Sequence, residues 1–277
     1  MTTKTEERVL KYPGTITLTL GDAGENHVGM EMKGQLGELG SGFTPDELEK
    51  AALQFYQLGR QVEFHRLTSE ETDPAAILII RNYLDGPIAT EMLTQLMERS
   101  WDAKYFDRRR GRVLNKHARH NVVIMDGSSQ EPDYEQGKGT ILDGDTIPTF
   151  RQFKQEMTET INLVTQSDKA SQLVCEGNLY YNVKRCGIGY HGDKERRKVI
   201  ALRLGESMPM SWQWFHRSKP VGEPFRYTLN HGDLYIMSEK AVGNDWMSSS
   251  KYTLRHAAGC EKYISLKKYE KKTEVLE

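Results

Sequence analysis

From residue 172 onward the chain is a succession of short strands. Apolar, aromatic and β-branched runs occupy 173–181, 199–204, 210–215, 225–229, 234–237, 252–256 and 263–266, with turns between them. Strands this short and this regularly spaced bury their inward faces by closing into a barrel or a jelly roll. The part before them is mixed. Residues 75–80 are an apolar run of strand length, 87–99 place Ile88, Met92, Leu93 and Leu96 at helical spacing, and 121–125 read as a strand. Residues 149–166 open with a Thr149-x-x-Gln152 capping pattern and line Phe150, Phe153, Met157, Ile161 and Val164 along one face, a stripe that reads as core packing. The polar, glycine-containing loop 128–148 has the length of a functional lid. The expected fold class is α+β: a double-stranded β-helix (jelly-roll) core with flanking helices.

At the front, residues 14–21 alternate apolar and β-branched polar side chains between glycines, a strand signature. A glycine-rich loop runs to Gly42, and Thr44–Pro45–Asp46–Glu47 then combines an N-cap, a proline at the first helical position and a capping glutamate. The helix it opens carries Leu48, Ala51, Ala52, Phe55 and Leu58. Gly21–Asp22–Ala23–Gly24 is too short and irregular for a phosphate loop. The chain is expected to divide at about residue 70, into an N-terminal accessory module (1–70) and a jelly-roll domain (71–277).

A chain of 277 residues with 37% hydrophobic content can bury a sizeable core, one main domain with an added module rather than two equal ones. The net charge of −1 hides a local asymmetry: Lys104, Arg108, Arg109, Arg110, Arg112, Lys116 and Arg119 stand against Asp107. Such a stretch suits phosphates, and equally a solvated basic loop. Cys175, Cys186 and Cys260 lack paired spacing, which argues against a disulfide framework and for an intracellular setting, cytoplasmic or nuclear. Residues 1–12 are polar, and no run of about 18 apolar residues occurs, so neither secretion nor membrane insertion is expected. The lysine-rich tail 267–272 reads as frayed surface.

The chemistry begins at His191–Gly192–Asp193. On a strand, residues two apart project to one side, so His191 and Asp193 would face together, and a later strand could return His256 to them. Two imidazoles and one carboxylate leave open positions on ferrous iron, which an oxygenase needs for O2 and an electron-donating cosubstrate. An isolated H-x-D is more often a satisfied turn or surface pair, so its surroundings decide. His216 and His231 are rivals for the third position; His231 suits the turn before Asp233 better. The long connection from Asp233 to His256 admits a different register near Trp246–Met247–Ser248.

Five segments in order carry a family likeness: Asn178–Leu179–Tyr180, His191–Gly192–Asp193, the strand 199–205 ending in glycine, His231–Gly232–Asp233 with its following strand, and His256–Ala257–Ala258–Gly259. Together, over residues 75–268, they resemble the AlkB-like branch of the iron(II) and 2-oxoglutarate-dependent dioxygenases. The resemblance implies Fe(II) held by His191, Asp193 and His256, 2-oxoglutarate and O2 as cosubstrates, and Asn178 and Tyr180 hydrogen-bonding the 2-oxo acid. The family's final R-x-N-x-T-x-R strand is replaced by Lys262–Tyr263–Ile264–Ser265–Leu266–Lys267–Lys268, which offers Lys262 and Lys268 as partners for the distal carboxylate. Arg203 and Arg255 are in reserve, Arg255 pointing away from the metal side. Lys116, Arg119 and His120 fall where the family carries a nucleotide-recognition lid, with Tyr181, Trp212 and Trp214 as stacking surfaces, all equally plausible as ordinary barrel residues. The expected activity is hydroxylation or oxidative demethylation of a nucleic-acid base. The alternatives are a protein side-chain or small-molecule hydroxylase, or a non-catalytic interaction barrel.

Overall fold

The computed structural model describes residues 13–24 and 29–270. The polar start of the chain and the end of the lysine-rich tail lie outside the described residues.

The strand Val199–Gly205 is buried along its whole length, as its nearly continuous apolar sequence requires of a strand covered on both faces. It sits inside an eight-stranded sheet whose order is Val62–Arg66, Ala76–Ile80, Leu234–Met237, Val199–Gly205, Thr15–Gly21, Val174–Tyr180, His120–Met125 and Ile141–Asp143. Neighbours are antiparallel except the last pair, which is parallel. Side-chain alternation sorts this sheet into two faces. Ile16, Leu18, Leu20, Ile200, Leu202 and Leu204 join one core with the helices Pro45–Gln57, Gly86–Met97 and Pro148–Thr165. Val199, Ala201, Tyr235 and Met237 face the other way, into a second core with Met208, Met210, Trp212, Leu254 and Ala258. These last belong to a four-stranded antiparallel sheet ordered Gly187–His191, Thr253–Gly259, Met208–His216 and Lys219–Leu229. Two sheets, antiparallel but for that one edge pair, face each other and helices cover the outer face of the larger one, an α+β arrangement consistent with the expected jelly roll.

The boundary expected at residue 70 has no counterpart in the sheet. Thr15–Gly21 pairs with Val174–Tyr180 on one side and Val199–Gly205 on the other. Its Ile-Leu-Leu face supplies core, and its threonines Thr15, Thr17 and Thr19 are buried on the opposite face. The front segment is therefore part of the core, because a strand apolar on one face and buried on both cannot stand apart. The capping box does form: Glu47 N donates to Thr44 Oγ1 at 3.2 Å and Thr44 N to Glu47 Oε2 at 2.7 Å.

Three other expectations are corrected. The Thr149–Gln152 cap is not made, because Pro148 takes the first helical position and leaves Thr149 inside the helix; its hydroxyl instead donates to Gln95 Oε1 at 2.7 Å. The loop 128–148 is not a lid over the site. It is tied to the buried Asp102, which accepts from Tyr134 Oη, Thr140 N and Thr140 Oγ1, and it adds the edge strand Ile141–Asp143. The strand expected at 263–266 is replaced by two short helices, Glu261–Ile264 and Lys267–Glu270. Gly259, at φ +115°, turns the chain off the sheet, and Ile264, Leu266 and Tyr269 cover the outer face at Tyr190, Phe215 and Ala257. Among the described residues no helix is long and apolar enough to cross a membrane.

Candidate active site

His191 closes the strand Gly187–His191 and lies directly opposite His256 on Thr253–Gly259, their ring centroids 4.5 Å apart. Asp193 lies just past the strand end, so the two-residue strand spacing is not what presents it. Its backbone N donates to the Val242 carbonyl at 3.0 Å, on the helix Glu239–Val242 within the long connection to His256. One ligand atom each from His191, Asp193 and His256 fall within 4.8 Å of one another. Asp193 Oδ1 lies 3.6 Å from His191 Nε2 and 3.9 Å from His256 Nε2.

The protonation states suit a cation. His191 Nδ1 lies 2.8 Å from the Gly189 carbonyl, which can only accept, so this nitrogen carries the ring proton and Nε2 turns a lone pair toward Asp193. Burial lowers the pKa of both imidazoles; His256, with His191 beside it, is pushed down to about 3. Burial works to raise the Asp193 carboxyl, but Arg196 and the two histidines outweigh it and hold it at about 2. At neutral pH two uncharged imidazoles thus face a carboxylate with no proton to share. Those are the forms in which such groups bind a divalent metal, so the residues fit one.

The same pocket has a cationic wall. Arg203, on Val199–Gly205, is fully buried, and among the described residues none of its three guanidinium nitrogens finds a hydrogen-bond partner. Burial lowers its pKa, an effect partly offset by Tyr235 and Tyr180, which border the same pocket. Thr17 lies directly between Arg203 and Asn178 in the strand register. Glu176, Asn178 and Tyr180, alternate residues of one strand, all line the cavity, and Asn178 Oδ1 accepts from Arg119 Nε at 2.6 Å. A cation this buried costs several kcal/mol unless something pairs with it, roughly 3–5 kcal/mol when one partner of a buried pair is missing.

Lys262 and Lys268 are not part of this pocket. Both are exposed on the C-terminal helices outside the smaller sheet, their ammonium groups over the rings of Tyr263 and Tyr269. Arg255 also points outward, over Phe215 and Trp246, as alternation next to His256 requires. His231 accepts from Gly205 N at Nδ1, 2.9 Å, in the turn, and His216 stacks on Tyr252. Among the described residues the region of Trp246–Met247–Ser248 supplies no metal donor.

The expected substrate contacts divide. Arg119 lines the pocket, while His120 packs against the partly exposed Tyr181, ring centroids 4.8 Å apart. Lys116 is buried with its ammonium on Asn121 Oδ1 rather than presented to solvent. Trp212 is not a stacking platform: it is buried against Phe225 and Tyr235, its Nε1 on Met237 Sδ. Trp214 is occupied likewise, donating to the Leu67 carbonyl at 2.6 Å. Both pack this way because even-numbered residues of Met208–His216 point into the space between the sheets. Sequence reasoning missed Thr17, Thr19, Glu176 and Arg196, all at the pocket. A signal existed for Glu176, which shares the parity of Asn178 and Tyr180, and for the threonine face of residues 15–19.

A family model described as the 2OG-Fe(II) oxygenase superfamily matches residues 76–242, more than half of the chain and including His191 and Asp193. The chain is also similar to an uncharacterized protein, R156, of Acanthamoeba polyphaga mimivirus, 41% identical over 258 residues that cover 90% of this chain and 97% of the viral protein. With a histidine, an aspartate and a second histidine converging beside an unpaired buried arginine, the chain belongs to the 2OG-Fe(II) oxygenase superfamily and is a 2-oxoglutarate-dependent dioxygenase that uses Fe(II), 2-oxoglutarate and O2.

Proposed function

We propose that the chain is an AlkB-like dioxygenase acting on a nucleic-acid base, with His191, Asp193 and His256 holding the iron. Bound iron, with 2-oxoglutarate and O2, supplies hydroxylation of a C–H bond, with succinate and CO2 as coproducts; on an N-methyl group the product falls apart to formaldehyde and the free amine. The chain's own residues do the rest. Arg203 meets the distal carboxylate of 2-oxoglutarate, the role expected of Lys262 or Lys268, and Tyr180, Thr17 and Asn178 border that cosubstrate. The single observation that supports the cosubstrate assignment is the unpartnered, fully buried guanidinium of Arg203 in the same pocket as the three metal donors. Burial of both carboxylate and guanidinium keeps water from competing for the pair.

What supports a polyanionic substrate is the basic stretch itself. It folds as a hairpin, Lys104–Asp107 against Arg112–Asn115, with Arg108, Arg109 and Arg110 exposed at its tip. The chain runs from that hairpin directly to Arg119 at the pocket and to the His120–Tyr181 pair beside it. In this reading the hairpin engages phosphates and Tyr181 offers a face to an extruded base. The test is succinate release from the Fe(II)-loaded chain with methylated oligonucleotides, peptides and small molecules, at two salt concentrations. Stimulation by oligonucleotide that weakens with salt supports the proposal; stimulation by a peptide or small molecule alone replaces it with a hydroxylase of that class.

A further inference from the structure

Asp193 has two carboxylate oxygens, and they face different partners. Oδ1 is the one toward the imidazoles, 3.6 and 3.9 Å from their Nε2 atoms. Oδ2 accepts a hydrogen bond from Arg196 Nη1 at 2.9 Å. That guanidinium is held on its remaining sides as well: Nη2 donates to Glu176 Oε2, and Nε to the Ala23 carbonyl at 2.6 Å. Arg196, Glu176 and Asp193 are all buried, and the groups come from separate parts of the chain: the short strand Ala23–Gly24, the strand Val174–Tyr180 and the turn after His191.

We infer that Arg196 is a positioning residue for the metal site: by engaging Asp193 Oδ2 it leaves Oδ1 as the one donor this carboxylate presents, while Glu176 and the Ala23 carbonyl fix the guanidinium in the orientation that does so. The inference rests on the reading that His191, Asp193 and His256 hold the metal. A carboxylate without such a partner can rotate or bind a metal through both oxygens, consuming a coordination position that the 2-oxo acid and O2 require. Arginine is suited to the task because its planar fork serves two carboxylates and a carbonyl at once, which the point charge of lysine does not. The arrangement also gives Glu176 a purpose. It is engaged by the guanidinium that also holds Asp193, so a carboxylate in the pocket lining acts as an anchor for Arg196.

The test is a cobalt(II) titration of the full chain, followed by the visible absorption of the bound ion, which reports affinity and coordination together. The variants are His191→Ala, Arg196→Gln and Glu176→Gln, each checked for folding by circular dichroism. Arg196→Gln is expected to bind cobalt about 10–100-fold more weakly and with an altered spectrum. Glu176→Gln, which keeps the Arg196–Asp193 contact and loosens its anchor, shifts both in the same direction by less. A folded Arg196→Gln with wild-type affinity and spectrum, alongside a His191→Ala that binds no cobalt, overturns the positioning role and leaves the metal reading standing. If Arg196→Gln does not fold, Glu176→Gln decides, and an unchanged affinity and spectrum there overturns the inference. Wild-type cobalt binding by His191→Ala instead removes the metal reading, and the role of Arg196 goes with it.

Discussion

Gly192 is packed so tightly against Gly243 that a Cβ atom at position 192 would overlap the Gly243 carbonyl oxygen. Gly243 is itself constrained, at φ +75° and against the Leu254 carbonyl, so it cannot retreat. This close approach presses the turn carrying Asp193 onto the end of the helix Glu239–Val242 and toward the strand that carries His256. Gly192→Ala is expected to cost about 1–3 kcal/mol of stability by overpacking, and to weaken metal binding because Asp193 moves. Thermal melting with and without cobalt(II) checks both; a variant with unchanged melting and unchanged metal stabilisation would show that the turn has slack the packing does not suggest.

Arg203→Met should raise the 2-oxoglutarate requirement sharply. Losing one partner of a buried charged pair costs roughly 3–5 kcal/mol, which is about two to three and a half orders of magnitude in affinity. Arg203→Lys should recover part of it. Lys262→Glu and Lys268→Glu should leave the cosubstrate KM unchanged, since both lysines are exposed outside the smaller sheet. A cosubstrate KM that responds to Lys262 and ignores Arg203 would reverse the assignment.

A chain shortened to begin at residue 71 should not fold. It would lose Ile16, Leu18, Leu20, Leu48 and Phe55, each at most 1% exposed. At about 1.5–3 kcal/mol per buried side chain, these five match the roughly 5–15 kcal/mol that stabilises a typical domain. It would also leave Val174–Tyr180 and Val199–Gly205 without the strand between them. A cooperative thermal transition in the shortened protein would restore the idea of a separable front module.

Glu47 gives the fold a specific acid sensitivity. Burial works to raise its pKa, but hydrogen bonds from Lys169 and the Thr44 backbone outweigh that and hold it below the usual carboxylate value. A carboxyl with a depressed folded-state pKa contributes stability above its unfolded value, about 4.3, and loses it as pH falls through the folded value. Glu47→Gln keeps an acceptor for the capping bond but loses the ion pair with Lys169, so it is expected to be less stable than wild type at neutral pH by about 0.2–1 kcal/mol, the range of a partly exposed ion pair. The gap should close as the pH falls below about 4. Urea denaturation at several pH values measures it; a gap that is constant with pH would remove the charge from the explanation.

Replacing Arg108, Arg109 and Arg110 with glutamate should weaken oligonucleotide binding and flatten its salt dependence, by about 0.7–0.9 in the log–log slope for each phosphate no longer neutralised. Turnover of the cosubstrate without nucleic acid should be unchanged, because the hairpin tip is exposed and lies outside the pocket lining. An unaltered slope would detach the hairpin from substrate binding.

The three candidate metal donors were legible because H-x-D and a late histidine are local patterns, and because the strands between them announce themselves by apolar runs. The cationic wall was less so. Arg203 stands in a strand that is otherwise apolar, and a charge in such a strand is a signal by itself, yet the family likeness drew attention to the lysines at the C-terminus. Those lysines alternate with Ile264 and Leu266 in a way that suits a strand, but a glycine turn and an uncovered aromatic surface at Tyr190 and Phe215 made helices the better cover. The place of Thr15–Gly21 was hidden for a different reason: its partners lie more than 150 residues away in sequence, as the bond from Thr15 Oγ1 to the Leu204 carbonyl, 189 residues apart, illustrates. Arg196 could be seen three residues after Asp193, but its second carboxylate, Glu176, could be matched to it by the fold alone.

The central claim is that His256 completes the metal site begun by His191 and Asp193. An anaerobic titration of the chain with Fe(II) and then 2-oxoglutarate, followed by visible absorption, tests it most directly. Wild type should develop the charge-transfer band of an iron-bound 2-oxo acid, and His256→Ala, folded by circular dichroism, should not. A band of wild-type intensity in His256→Ala would contradict the account.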